Sequence, residues 1–161
     1  MSKQANNYEG LVLKNINFKD SDKIYTIFVR VLGKVSGKAR GIRKFSSKRL
    51  SSLDSLNLVK IGLVGEHELK TITEVVLIDS FKNIKTDLSK LKTAIYLIEI
   101  VSNYLNESDE YTELFDLLVK CLKRLEETSY LDTRIENYFE YQFLKMSGYE
   151  LNLYDCCFCG K

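Results

Sequence analysis

The 161-residue sequence has no proline, a single histidine and no run of 18 consecutive apolar residues. Without such a run, no segment is long enough to span a bilayer as a helix. The polar N-terminal stretch MSKQANNYEG also lacks the apolar core of a signal peptide. These absences lead us to expect a cytoplasmic protein that has no membrane partner.

Sequence signatures of catalysis are scarce as well. The one histidine, His67, lies in the predicted strand connection GEHEL, and isolated loop histidines are usually solvated. The sequence has no G-x-S-x-G, Walker-type or H-E-x-x-H motif. Acidic pairs such as Glu126 and Glu127 are typical of solvated helix ends. The sequence therefore predicts a protein that is not an enzyme.

One long segment contains no acidic residue. No Asp or Glu occurs from Ile24 to Leu53, yet the part from Gly33 to Leu50, here called the basic segment, carries seven cations. They are Lys34, Lys38, Arg40, Arg43, Lys44, Lys48 and Arg49. Residues 1–80 hold 14 Lys and Arg against 8 Asp and Glu, a net +6, whereas residues 81–161 hold 10 against 14, a net −4. This asymmetry indicates an acidic partner for the first half.

The composition of the basic segment favours nucleic acid as that partner. Lys and Arg interleaved with Gly and Ser can approach phosphates closely and release condensed counterions. Tyr25, Phe28 and Phe45 are candidates for stacking on unpaired bases. We predict DNA binding with little base-sequence preference. Two other interpretations stay open: a solvated charged loop, and a protein-interaction adaptor whose basic loop binds acidic protein tails.

The hydrophobic pattern changes near residue 80. Before it, five segments are rich in β-branched residues and several alternate apolar with polar positions: YEGLVLKNINF, KIYTIFVRV, KVSGKARGI, LNLVKIGLV and ELKTITEVVLI. Five short strands predict a partly open barrel of the OB-fold type, which often binds oligonucleotides. The fold class is thus α+β, with an OB-fold over residues 1–80 and a helical domain over residues 81–152.

Beyond residue 81 the apolar period lengthens to about 3.6, which predicts at least three helices. The predicted faces comprise Leu88, Leu91, Ile95, Ile98, Val101 and Leu105; Leu114, Leu118, Cys121 and Leu125; and Ile135, Tyr138, Phe139, Gln142 and Met146. Gly148 is placed to end the third helix.

Three of the four cysteines lie in the terminal sequence DCCFCGK. The C-x-x-C spacing of Cys156 and Cys159 suits two ligands of one zinc ion. Two cysteines are only half of a tetrahedral site, so residues 153–161 resemble a truncated zinc-binding element. The other interpretation is a tail of free thiols. We expect no tight zinc binding in this chain, and we expect Cys121 to be a core residue.

The order of these motifs resembles the RecO family of bacterial recombination mediators. YEGLVLKN, then KIYTIFVRVLGKVSGKARGIRK, a helical half and finally FLKMSGYELNLYDCCFCGK cover nearly the whole chain. The resemblance implies a DNA repair protein that binds single-stranded and double-stranded DNA and anneals complementary strands. It also implies that the protein works with RecR to load RecA recombinase onto strands coated by single-strand-binding protein (SSB).

The resemblance also implies specific contacts. The cations of the basic segment match the family's DNA-contacting region. The acidic C-terminal tail of SSB is expected on the helical domain, where Lys120, Lys123, Arg124 and Arg134 are the candidate cations. Family members of the zinc-bearing type continue to a second cysteine pair, so zinc is expected in a longer chain.

Overall fold

The computed structural model describes most of the chain. The described residues are 6–18, 22–39, 51–65, 69–106, 111–129, 133–149 and 159. Among them, no helix combines the length and the apolar character needed to cross a membrane.

The first half of the chain is a closed five-stranded barrel. Its strands are β1 (Asn6–Phe18), β2 (Asp22–Val29), β3 (Gly33–Ala39), β4 (Leu58–Val64) and β5 (Leu69–Asp79). Their order around the barrel is β1-β2-β3-β5-β4, and only the β3–β5 pair is parallel. The predicted five-stranded barrel and the α+β class are confirmed, and the barrel is closed where the prediction was a partly open one.

Strand β1 closes the barrel because it pairs with two neighbours. Its first half pairs with β4 and its second half with β2, and Gly10 is opposite both Val29 and Val59. A Cβ atom at Gly10 would lie 2.9 Å from Cγ2 of Ile27, so the absence of a side chain permits this close approach. A register shift between Val12 and Lys14 follows, as expected for a bulge that bends the strand.

Two apolar clusters result from this barrel. One fills its interior and includes Tyr25, Ile27 and Ile61. The other covers part of its outer face, where Leu11 and Phe28 pack with side chains from the helices. The barrel is therefore buried on both sides where the helices cover it, and the alternation of polar and apolar residues is lost there.

Four helices follow in the described part of the chain. They are α1 (Lys82–Thr86), α2 (Leu88–Tyr104), α3 (Thr112–Glu127) and α4 (Arg134–Met146). The three predicted helices are confirmed, and α1 is additional. The backbone N–H groups of Asn83 and Ile84 each donate to a carboxylate oxygen of Glu126 at 2.9 Å. A helix of five residues is thus capped by a residue 43 positions away, and Glu126 is not merely a solvated acid.

The predicted buried faces hold for α3 but only in part for α2 and α4. On α3, Leu114, Leu118, Cys121 and Leu125 are all buried. On α2, Leu88 and Ile95 are exposed, whereas Ala94 and Leu97 are fully buried. On α4, Tyr138 and Met146 are exposed.

The buried face of α2 is rotated relative to the predicted face because it includes residues that make polar contacts. Lys90 is 4% exposed, and its Nζ donates to the carbonyl oxygen of Thr128 at the end of α3. Thr93 donates to a carboxylate oxygen of Glu136 on α4. A pattern of apolar residues alone cannot reveal such a face. At the end of α4, Gly148 has φ +83°, which confirms it as the glycine that ends the helix.

Candidate nucleic-acid and partner interface

The structure describes two of the seven cations predicted to contact DNA. Lys34 and Lys38 lie on β3, where burial alternates and both side chains point away from the barrel interior. The other five lie outside the described residues: Arg40, Arg43, Lys44, Lys48 and Arg49. The assignment of these residues to DNA contact stays a prediction.

Lys34 links the barrel to the helices. Its Nζ donates to the carbonyl oxygen of Ser102 at 3.3 Å. Ser102 lies in the last turn of α2, where carbonyl oxygens lack helical partners and attract cations. The position of Lys34 is thus set by an intramolecular contact as well as by β3.

Lys38 is held by a second set of contacts. Its Nζ lies 2.9 Å from a carboxylate oxygen of Asp22 and 4.9 Å from the ring centroid of Phe18. The Lys38 side chain is 17% exposed. Both described lysines of the basic segment therefore contact other residues of the chain.

The stacking prediction is wrong for two of its three aromatic residues. Tyr25 is 1% exposed inside the barrel, and Phe28 is fully buried on the outer face of β2. The Phe28 ring meets Phe115 edge to face, with centroids 5.2 Å apart. A base cannot reach either ring. Phe45 lies outside the described residues.

The Tyr25 hydroxyl is also buried, and no hydrogen-bond partner is found for it among the described residues. Burial, together with the negative charge of Asp54, raises the pKa of Tyr25 to about 12. Tyr25 is thus a neutral core residue at physiological pH.

The four cations proposed for a partner lie around two adjoining cavities. A cavity of about 710 Å³ between the barrel and α3 is lined by three cations, Lys120, Lys123 and Arg124, and by three acids, Glu9, Asp116 and Glu127. A smaller cavity of about 150 Å³ is lined by Lys120, Arg124 and Arg134 together with apolar atoms of other residues. The structure thus brings together all four side chains.

The smaller cavity combines cations with an apolar floor. Cys121 and Ile135 are buried at its base. The Nζ of Lys120 lies 5.3 Å from the ring centroid of Tyr138 and donates to its hydroxyl at 3.2 Å. This arrangement suits an acidic ligand that also presents an apolar group.

The contacts that join the barrel to α3 were not evident from the sequence. Arg30, in the turn after β2, donates from Nε and Nη2 to the two carboxylate oxygens of Asp116 at 2.8 Å each. The hydroxyl of Thr112 donates to the carbonyl oxygen of Arg30 at 3.1 Å. These pairs are separated by more than 80 residues, so no local pattern indicates them.

Comparison with known protein families matches both halves of this chain. The family model for the N-terminal part of recombination protein O matches residues 1–81, and the model for its C-terminal part matches residues 85–161. The chain belongs to the RecO family.

Curated relatives of the RecO family align with most of the chain. "DNA repair protein RecO" of Clostridium novyi is 29% identical over 153 residues, which is 95% of this chain and 60% of that protein. Proteins of the same name from Geobacter sulfurreducens and Syntrophus aciditrophicus are each 32% identical; the alignments cover 62% and 59% of those proteins. The chain thus spans about three fifths of the length of these RecO relatives.

The cysteines of this RecO-family chain are only partly described. Cys121 is buried, as predicted, and burial raises the pKa of its thiol to about 11. Cys159 is exposed, and Cys156 lies outside the described residues. The described residues contain no group of three or more His, Cys, Asp or Glu side chains that could hold a metal ion. The zinc expectation stays a prediction, and His67 also lies outside the described residues.

Proposed function

We propose that this chain is a DNA repair and recombination mediator. It binds single-stranded and double-stranded DNA, promotes annealing of complementary strands, and works with RecR to load RecA recombinase onto SSB-coated DNA. The observation that carries this proposal is a closed OB-type barrel of the RecO family whose strand β3 leads directly into the cationic residues 40–50. The relatives' name, DNA repair protein RecO, supports the same role.

The DNA contacts are assigned mainly to the part of the basic segment beyond β3. Lys34 and Lys38 are engaged by Ser102 and Asp22, so they position the strand. Phosphate contacts then fall to the cations of residues 40–50. Because Tyr25 and Phe28 are buried, binding depends on charge more than on base stacking, and it should be strongly salt-dependent.

Salt titration tests this assignment. Each phosphate contact on a single strand contributes about 0.7 to the slope of log affinity against log salt. Replacing Arg43 and Lys44 with Ala should therefore lower the slope by about 1.4, measured by anisotropy of a labelled mixed-sequence oligonucleotide. The matched control is Lys82→Ala with Lys92→Ala, which removes two exposed charges on the helices. Equal slopes in both double variants would remove the basic segment from the DNA site.

An acidic peptide distinguishes the adaptor alternative. A protein-interaction adaptor would bind such a peptide at least as tightly as the oligonucleotide at the same salt concentration, since carboxylates and phosphates both attract Lys and Arg. The proposed mediator should prefer the oligonucleotide. Tighter binding of the peptide would overturn the DNA proposal.

The two adjoining cavities lined by Lys120, Lys123, Arg124 and Arg134 are proposed as the site for the SSB tail. Acidic residues of the tail would approach Lys123 and Arg124, while its terminal apolar residue enters the 150 Å³ cavity beside Arg134. Calorimetry with the tail peptide should show weaker binding after Arg134→Ala and after Lys123→Ala, and no change after Lys92→Ala. Equal affinity in all variants would contradict the assignment.

Zinc binding is proposed to be weak or absent in this chain. Structural zinc sites are almost always four-coordinate, and Cys156 and Cys159 supply only two ligands. A longer chain with a second cysteine pair should bind one zinc ion through these two cysteines. Elemental analysis of the purified protein tests this, and stoichiometric zinc in the present chain would contradict it.

A further inference from the structure

A third cavity lies apart from the basic segment and from the two cavities beside Lys120 and Arg124. It has a volume of about 370 Å³ and forms where α2 and α4 end and α3 begins. Three aromatic side chains line it, namely Tyr104, Tyr111 and Phe143, together with Met146. Neither the DNA proposal nor the SSB proposal uses this cavity.

The aromatic rings are mutually oriented around Tyr104. Its ring centroid lies 4.9 Å from that of Phe143, with an interplanar angle of 80°, and 5.8 Å from that of Tyr111, with an angle of 67°. Tyr104 is 41% exposed, so a ligand can reach it. Clustered aromatic rings attract cations that approach within about 6 Å of a ring centroid.

The charge at the cavity has one sign. Among the described residues that line it, Glu113 is the charged one, and they include no Lys or Arg. The negative end of α4 offsets the positive start of α3. Near the end of α2, the carbonyl oxygen of Ser102 already accepts a hydrogen bond from Lys34. The carboxylate of Glu113 therefore decides the sign of the local field, which favours a cationic ligand.

We propose that this cavity binds an arginine side chain from a basic segment of a partner protein. A guanidinium group is planar, stacks on aromatic faces and forms paired hydrogen bonds with a carboxylate. The cavity supplies both features, with Tyr104 and Phe143 as the aromatic surface and Glu113 as the carboxylate. An acidic ligand would instead meet Glu113, and the described part of the lining offers no cation to compensate it.

The experiment uses a short peptide and its neutral analogue. The probe is acetyl-Gly-Gly-Arg-Gly-Gly-amide, and the control peptide has citrulline, which keeps the shape of arginine without its charge. The chain has two methionines, so the methyl NMR signal of Met146 is readily assigned. The arginine peptide should shift this signal at millimolar concentration, whereas the citrulline peptide should bind at least about fivefold more weakly.

Variants of the protein test whether the arginine peptide binds in this cavity. Glu113 is exposed, so Glu113→Gln should fold normally, and it should weaken binding of the arginine peptide by about fivefold. Phe143→Leu should weaken it as well, because it removes a ring and retains bulk. Glu74→Gln, on exposed β5, is the matched control and should change nothing.

Several results would overturn the proposal. Equal binding of the arginine and citrulline peptides would show that charge is not recognised. Unchanged affinity in Glu113→Gln, or tighter binding of the corresponding aspartate peptide, would show the wrong sign of charge. The absence of any shift at Met146 would exclude the cavity as the site.

Discussion

Arg30 and Asp116 form a two-pronged ion pair between the barrel and α3, with both nitrogen–oxygen distances at 2.8 Å. The two side chains are 42% and 52% exposed, so solvent screens much of their attraction. The pair therefore orients α3 against the barrel more than it stabilises the fold. The apolar contact beside it, between Phe28 and Phe115, supplies the larger share of the stability.

The ion pair predicts a small dependence of stability on pH. The hydrogen bonds from Arg30 lower the pKa of Asp116 below its ordinary value of 3.8. A depressed pKa stabilises the fold above pH 3.8, and this stabilisation is lost as the pH falls through the folded-state pKa. The difference in urea midpoint between the wild type and Asp116→Asn should thus shrink below pH 4. A difference that stays constant from pH 6 to pH 3 would contradict this account.

Replacing Phe115 tests the apolar contact. Phe115 is 1% exposed against fully buried Phe28, so Phe115→Ala should lower the free energy of unfolding by about 3–5 kcal/mol. Urea denaturation followed by circular dichroism measures this loss. Tyr149→Ala, at a side chain that is 70% exposed, should change stability by less than about 0.5 kcal/mol. Similar losses in both variants would argue against a packed barrel–helix contact.

Gly148 offers a test of backbone strain alone. Its φ is +83°, and a Cβ atom there would meet nothing within 4 Å. Gly148→Ala should therefore cost about 1 kcal/mol through the left-handed backbone and not through a clash. Gly148→Asn should cost less, since Asn tolerates this conformation better. Thermal unfolding measures both variants, and equal losses would contradict the explanation.

The thiol of Cys121 should be unreactive in the folded protein. It is 2% exposed, and its pKa is raised to about 11, so little thiolate forms at pH 8. A variant with Ser at positions 156, 157 and 159 isolates this cysteine. It should not react with a disulfide reagent until urea is added. A variant that keeps Cys159 alone is the control, because that residue is exposed and should react at once.

The sequence predicted the barrel well because strand alternation and β-branched residues are local signals. It failed at Phe28 for a physical reason. Tyr25 and Phe28 lie on opposite faces of β2, so one ring is expected outside the barrel. The helices cover that outer face, and burial there depends on residues from α3, such as Phe115.

The candidate sites also combine features that are visible in the sequence with contacts that are not. The positive charge of the basic segment is visible in the sequence, but the contact of Lys34 with Ser102 joins residues 68 positions apart. Helix α1 likewise depends on Glu126 at a distance of 43 positions. The aromatic cavity assembles Tyr104, Tyr111 and Phe143 from the ends of three elements. No periodicity within one helix could have predicted it.

The apolar cluster between the outer face of the barrel and the helices affects how the chain folds as it emerges from the ribosome. Strand β1 cannot complete the barrel until β4 has been synthesised, and Phe28 lacks its partner ring, Phe115, until α3 follows about 50 residues later. Pairings between distant residues form slowly, and exposed apolar surface favours aggregation in the interval. The barrel expressed alone should therefore be poorly soluble, whereas a chain that extends through α3 supplies its own cover.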